Sequence, residues 1–196
     1  MAEFKTVIRT LMFVFVVLFC ATTFYYYTEQ GNARAEANIP KLPDFEHTNN
    51  QQFIDNVVQC VNYIEHNSTN VYSVNLELLI AQAALESGWG NSRFARVGKN
   101  LFGIRTYDLK EPHMLPSNNP KKWGVKVFEH ECDSVLNYMN ILNNGSAYER
   151  YRELIDNGET NPYVLVETLD AYAADKNYFG KIKSILTKMR KEYEIK

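Results

Sequence analysis

Asn75-Leu-Glu-Leu-Leu-Ile-Ala-Gln-Ala-Ala-Leu-Glu86-Ser-Gly-Trp-Gly90 is the stretch whose reading decides the fold. Leu76, Leu78, Leu79, Ile80, Ala83, Ala84 and Leu85 cover nearly every side of a helix, and a helix apolar all round is a buried one. Only Glu77, Gln82 and Glu86 interrupt the pattern. Gln82 and Glu86 stand four apart and share a face. Ser87-Gly88 reads as the stop, with Gly88 supplying a left-handed cap. Glu86 therefore ends a core helix, where the helix dipole and poor solvation both disfavour a carboxylate. A glutamate so placed holds its proton towards neutral pH, which is what a general acid requires. The plainer alternative is a solvated surface group, the ordinary fate of glutamates near helix ends.

Working outward, apolar periodicity predicts a first helix over about 49–66, with Phe53, Val57, Val58, Val61 and Ile64 on its buried face. Asn91-Ser92 reads as the cap of a short helix. From Leu101 the period changes. Residues 101–107 and 123–128 read as two antiparallel strands, joined by an irregular loop containing Pro112, Pro116 and Pro120. Helical pattern returns at about 131–143, 148–156, from Pro162 behind an Asn161 cap, and 178–193. The fold class is thus α+β, mainly α.

Further residues carry a family resemblance. The run AQAALESGWGNSRFA from Ala81, followed by GKNLFGI from Gly98, resembles the glucosaminidase-domain family of bacterial cell-wall hydrolases, the peptidoglycan endo-β-N-acetylglucosaminidases. Phe128–Leu136 resembles that family's strand-to-helix junction, Ser146–Glu149 its next helix entry, and Ala171–Tyr178 its GYATD..Y segment. The likeness spans residues 48–192, and the short Gly103–Phe128 interval is similar to the Bax-like branch. The resemblance implies a lysozyme-like helical body with a small two-stranded β-lobe, a groove between them, and peptidoglycan glycan strands as substrate. It puts the catalytic acid on Glu86, a groove tyrosine on Tyr172 and an acidic site position on Asp175. The family's second carboxylate lies on the β-lobe; Asp108 and Glu111 are the acids available there, and the motif match reaches neither.

From the residues themselves, Gln82 on the Glu86 face and Arg105 and Tyr107 on the first strand are expected to bind substrate. Tyr172 has a plainer reading as a packing tyrosine, Asp175 as a cap of the last helix, and Trp89 as a plug for the helix end rather than a sugar platform. The expected activity is hydrolysis of β-1,4 bonds of N-acetylglucosamine by a monomer. Its rivals are a lytic transglycosylase and a glycan-binding module without turnover.

Composition closes other routes. A net charge of −2 over 196 residues gives no basic field for nucleic acid. His47, His66, His113 and His130 are scattered, and no HxxxH or CxxC spacing occurs, so neither metal nor cofactor is expected. The basic residues Lys176, Lys181, Lys183, Lys188, Arg190 and Lys191 near the C-terminus read as a solvated face or a weak attractor of anionic polymer. Residues 1–27, with Lys5 and Arg9 ahead of an apolar run and Tyr25–Tyr27 behind it, are expected to form one transmembrane signal-anchor or a signal peptide cleaved after Ala33-Arg34-Ala35. Residues 28–47 read as a linker, and 48–196 as the catalytic domain. The domain would then face outward from the membrane or enter the periplasm. In an oxidising compartment Cys60 and Cys132 can pair, although a buried free thiol is the commoner state for a cysteine among valines.

Overall fold

A computed structural model describes residues 12, 15, 18–30, 39–70, 72, 74–117, 122–172 and 175–195. The chain divides into two compact units, Met1–Ile39 and Pro40–Lys196. In the first, residues 18–30 are helical and their aromatic side chains are exposed. Among the described residues, no helix is long and apolar enough to cross a membrane. The expected transmembrane helix thus finds no support, although much of the apolar run, the Lys5 and Arg9 ahead of it and the Ala33–Ala35 cleavage site lie outside the described residues.

The second unit contains seven α-helices among its described residues: α1 (Asn50–Asn67), α2 (Leu76–Ser87), α3 (Arg93–Gly98), α4 (Glu131–Asn144), α5 (Glu149–Asp156), α6 (Pro162–Leu165) and α7 (Tyr178–Glu192). Their starts are written locally. Asn49, Asn75, Ser92 and Asn161 each accept a backbone N–H at an N-terminus, and Pro162 occupies the first turn of α6. His130 caps α4 in a reciprocal box with Asp133.

The core wraps α2. Leu78, Leu79, Ile80, Ala81 and Ala83 are essentially inaccessible, and each large aliphatic chain so buried contributes about 2 kcal/mol. α2 packs on α7, and α1 on α4. A Cys60–Cys132 disulfide joins α1 to α4 across 72 positions of sequence, so these cysteines are paired rather than free thiols.

The β-lobe has three short antiparallel strands rather than two. β1 (Arg105–Thr106), β2 (His113–Met114) and β3 (Gly124–Lys126) are ordered β1-β3-β2. β2 comes from the Pro-rich stretch expected to be irregular. It fits because Gly124, on the neighbouring β3 two residues before the His113 partner Lys126, leaves room: a Cβ there would meet the His113 ring at 2.5 Å. Residues 101–104, expected to open the first strand, instead form a turn. Asn100, 1% exposed, holds it, accepting from the N–H groups of Phe102 and Ile104 and donating to the carbonyls of Ile104 and Lys126. Gly103 supplies the positive φ of 65° that the turn needs.

Residues 40–47 pack on this unit, although their composition alone reads as linker. Phe45 is buried against Phe53, and His130 Nε2 meets the Pro43 carbonyl at 3.0 Å.

Candidate active site

Glu86 occupies the last turn of α2. Gly88 follows in the left-handed conformation, φ 59° and ψ 49°, and its N–H closes the helix onto the Ala84 and Leu85 carbonyls. Ser87 locks the reversal, donating through Oγ to the Ala83 carbonyl and accepting from the Gly90 N–H. Trp89 then packs on Phe53 and Tyr193, with ring centroids 5.9 and 5.8 Å away. It plugs the helix end, the plainer of its two sequence readings.

The Glu86 side chain is half-buried. Its Oε2 lies 3.9 Å from where a Cβ on Gly103 would stand, so the turn that opens the lobe passes the carboxyl with only a glycine between. Desolvation raises the Glu86 pKa above the ordinary carboxylate value; a hydrogen bond from Tyr178 and the charge of Lys181 partly oppose the rise. Burial outweighs both.

Behind the carboxyl stands an aromatic column. Phe102 stacks on Tyr138 at 4.2 Å, Tyr138 meets Tyr172 edge-on at 5.9 Å, and Tyr172 stacks on Tyr178 at 5.9 Å. Tyr172 donates its hydroxyl to the Phe102 carbonyl at 2.9 Å, pinning the 101–104 turn to the body. Burial, and next the nearby Glu86 carboxyl, hold its pKa well above that of a free phenol. Tyr178 also titrates higher than a free phenol, again first by burial. Both phenols are therefore neutral donors at any working pH.

Gln82 shares the Glu86 face, as its spacing requires, but not the solvent. It is fully buried, its Nε2 donates to the Tyr178 hydroxyl at 2.7 Å, and its Oε1 accepts from the Tyr138 hydroxyl. The Gln82 amide thus makes its hydrogen bonds in the interior, with Tyr138 and Tyr178.

The remaining candidates separate. Asp175 is exposed, accepts from the Asn177 N–H and pairs with Lys181 at 2.5 Å. The Lys181 bond holds its carboxyl below the usual range. It organises the entry to α7 and steadies the cation whose charge Glu86 feels. Arg105 lies over the Trp123 ring at 4.1 Å, and Tyr107 is 71% exposed. Both belong to the lobe surface. Asp108 accepts from the Lys110 N–H and shapes its own turn. Glu111 accepts from Thr106 Oγ1 at 3.0 Å and pairs with Lys126 at 3.4 Å, bracing β1 against β3. The basic face of α7 is largely matched: Lys181, Lys183, Lys188 and Arg190 pair with Asp175, Glu167, Glu192 and Glu77.

Two residues that position the site escaped the sequence reading. Asn100 lies inside the GKNLFGI run, and its role rests on four hydrogen bonds made only on folding. Tyr178 ends the Ala171–Tyr178 segment, and no local pattern brings its hydroxyl to Gln82. A cleft of about 630 Å³ lined by Gln51, Asp55, Gln59, Asn62 and Glu192 does not include Glu86.

A family model described as "Glucosaminidase: Mannosyl-glycoprotein endo-beta-N-acetylglucosaminidase" matches residues 64–191. Exo-glucosaminidase LytG of Bacillus subtilis (strain 168) is 26% identical over 127 residues, covering 60% of this chain and 45% of LytG. Protein bax of Escherichia coli (strain K12) is 35% identical over 77 residues, 39% of this chain and 26% of bax. The chain thus spans less than half the length of these curated relatives. Among solved structures, the catalytic domain of the autolysin Auto from Listeria monocytogenes superposes with a TM-score of 0.55 at 24% identity, covering 83% of this chain and 94% of that one. The glycoside hydrolase domain of Salmonella typhimurium FlgJ gives 0.53 at 21% identity, covering 73% and 99%. Likeness at these identities is likeness of fold.

Proposed function

The chain belongs to the glucosaminidase family, and from that premise we propose that it is a glycoside hydrolase cleaving β-1,4 bonds of N-acetylglucosamine in peptidoglycan, with Glu86 as general acid. The observation that carries this reading is the half-buried Glu86 carboxyl at a helix end, with its pKa raised by desolvation and the lobe turn passing beside it. Cleavage needs a proton on the leaving oxygen and support for positive charge at the anomeric carbon. A carboxyl whose pKa burial raises, yet which is still partly open, is suited to the first. Tyr172 and Tyr178 supply neutral hydroxyls that line and position the acid.

We assign the endo mode, although LytG bears an exo name. The disulfide supports an exported body, because such bonds persist in oxidising compartments. The cell envelope is the corresponding location.

One observation favours a second reading. Asp108 and Glu111 are each spent on the lobe's own turn and strands. A site served by one carboxyl suits a reaction in which the substrate's acetamido or hydroxyl oxygen supports the cation, including lytic transglycosylation.

Digestion of purified peptidoglycan by the wild type and by Glu86→Gln, with mass analysis of the released ends, tests both. New N-acetylglucosamine reducing ends, absent with Glu86→Gln, are expected. Anhydro-muramic ends would turn the assignment to the transglycosylase, and muramic reducing ends would overturn it.

A further inference from the structure

Strand pairing sorts the side chains of the lobe onto two faces. Arg105 stands opposite Val125 and Val125 opposite Met114, so these three share one face. Thr106, Gly124, Lys126 and His113 share the other. That second face is closed on itself: Glu111 accepts from Thr106 and pairs with Lys126, and the His113 ring fills the space over Gly124. The first face is turned to the body. A Cβ on Gly98 of α3 would meet Met114 Sδ at 2.9 Å and Val127 at 3.7 Å. Arg105 belongs to the same face but to the opposite edge of the sheet, and there it is exposed. Lobe and body therefore stand apart at that edge, and Arg105 faces the gap. Glu86 borders the same gap, because Gly103, beside its carboxyl, precedes Arg105 by two residues, a span of at most about 7 Å.

Arg105 is also prepared for a ligand. Its guanidinium carbon lies 4.1 Å from the centre of the Trp123 ring. Such stacking uses the flat face of a guanidinium and leaves the N–H groups along its edge free. Among the described residues no carboxylate pairs with Arg105. A planar fork already seated on a ring suits a carboxylate held by two hydrogen bonds, and it loses little side-chain freedom on binding one. In a glycan of alternating N-acetylglucosamine and N-acetylmuramic acid, only the second sugar carries an acidic arm. That arm is a lactyl ether whose carboxyl is either free or extended into a peptide stem with carboxylates of its own.

We propose that Arg105, seated on Trp123, is a specificity-determining residue: it receives a carboxylate on the lactyl arm of an N-acetylmuramoyl unit lying beside Glu86. The groove thereby selects muramoyl strands over neutral polymers of N-acetylglucosamine. This inference deepens the reading of the cleft as a peptidoglycan site and rests on it.

The test is calorimetric titration in the Glu86→Gln background, with three ligands of equal length: a stem-bearing muramoyl tetrasaccharide, the same tetrasaccharide stripped of peptide, and the chitin tetrasaccharide. Arg105→Gln should raise Kd for a muramoyl ligand about fivefold and leave the chitin ligand within about twofold. Arg105→Lys, which keeps the charge but not the planar fork, should restore only part of the loss. Trp123→Leu should weaken muramoyl binding by a smaller factor and add nothing once Arg105 is replaced. Added salt should weaken muramoyl binding by the parent and much less so by Arg105→Gln. A loss confined to the stem-bearing ligand places the carboxylate on the stem, and a loss with the stripped ligand places it on the lactyl group; either supports the inference. Muramoyl affinities unmoved by Arg105→Gln, or an equal loss for chitin, would overturn it. Failure of all three glycans to bind with Arg105 intact would instead sink the reading of the cleft, and the inference with it.

Discussion

The helical body and the β-lobe both offer carboxylates, and they treat them in opposite ways. Glu86 is backed by α2, α7 and a column of four aromatic rings, and desolvation controls its titration. Asp108 and Glu111 sit in the turn between β1 and β2. Asp108 organises a loop, and Glu111 ties Thr106 to Lys126. The lesson is that residue type alone does not raise a carboxyl's pKa. Burial without a full counter-charge does, and the body supplies that burial to Glu86. A lobe of two- and three-residue strands has no interior in which to desolvate a charge.

That contrast can be broken most directly at the carboxyls themselves. Glu86→Gln should lower the release of reducing ends from peptidoglycan by about a thousandfold or more, the scale of losing a general acid with its orientation. Asp108→Asn should cost no more than a few-fold in the same assay. A large loss at Asp108 and a small one at Glu86 would invert the assignment.

Stability offers the next test. The Cys60–Cys132 bond lies within the body and closes a loop spanning 72 positions, so Cys60→Ser/Cys132→Ser should lower unfolding free energy by about 4 kcal/mol in urea titrations. Glu111→Ala, in the lobe, should cost only about 1 kcal/mol or less, the scale of an exposed pair with one added hydrogen bond. Hydrogen exchange should quicken in residues 105–114 while α2 stays protected. Comparable losses from both would mean the lobe shares the body's cooperativity.

The smallest effect sharpens the contrast through pH. The Glu86 pKa is raised on folding, so below its unfolded value of about 4.5 the neutral carboxyl carries no penalty. Between that value and the folded pKa the native state binds more proton than the unfolded chain, so stability falls as pH climbs, and the loss is complete above the folded pKa. Glu86→Gln should therefore melt higher than the wild type at pH 7, with the difference vanishing near pH 4. A gap that persists in acid would assign the gain to packing instead.

The helices were legible because their signals are local. A 3.6-residue apolar period and the caps at Asn49, Asn75, Ser92 and Asn161 act within one turn, and the observed elements fall within a residue or two of the expected ones. The lobe was read less well. Leu101–Ile104 is apolar enough for a strand, but Asn100 satisfies its backbone from the side and Gly103 turns it. His113–Met114 sits between prolines and pairs only because Gly124 makes room. Gln82 shows the limit most clearly: spacing sets its face, and only packing gives it Tyr138 and Tyr178 as partners.

The chain by itself determined that a carboxyl would terminate a buried helix and that the helix would stop at Gly88, since period, cap and left-handed glycine are properties of neighbouring residues. Only tertiary structure decided what surrounds that carboxyl. Tyr178 lies about ninety positions away, and the order of hydrogens from Tyr138 through Gln82 exists only when α2, α4 and α7 have packed and excluded the water that would otherwise satisfy them.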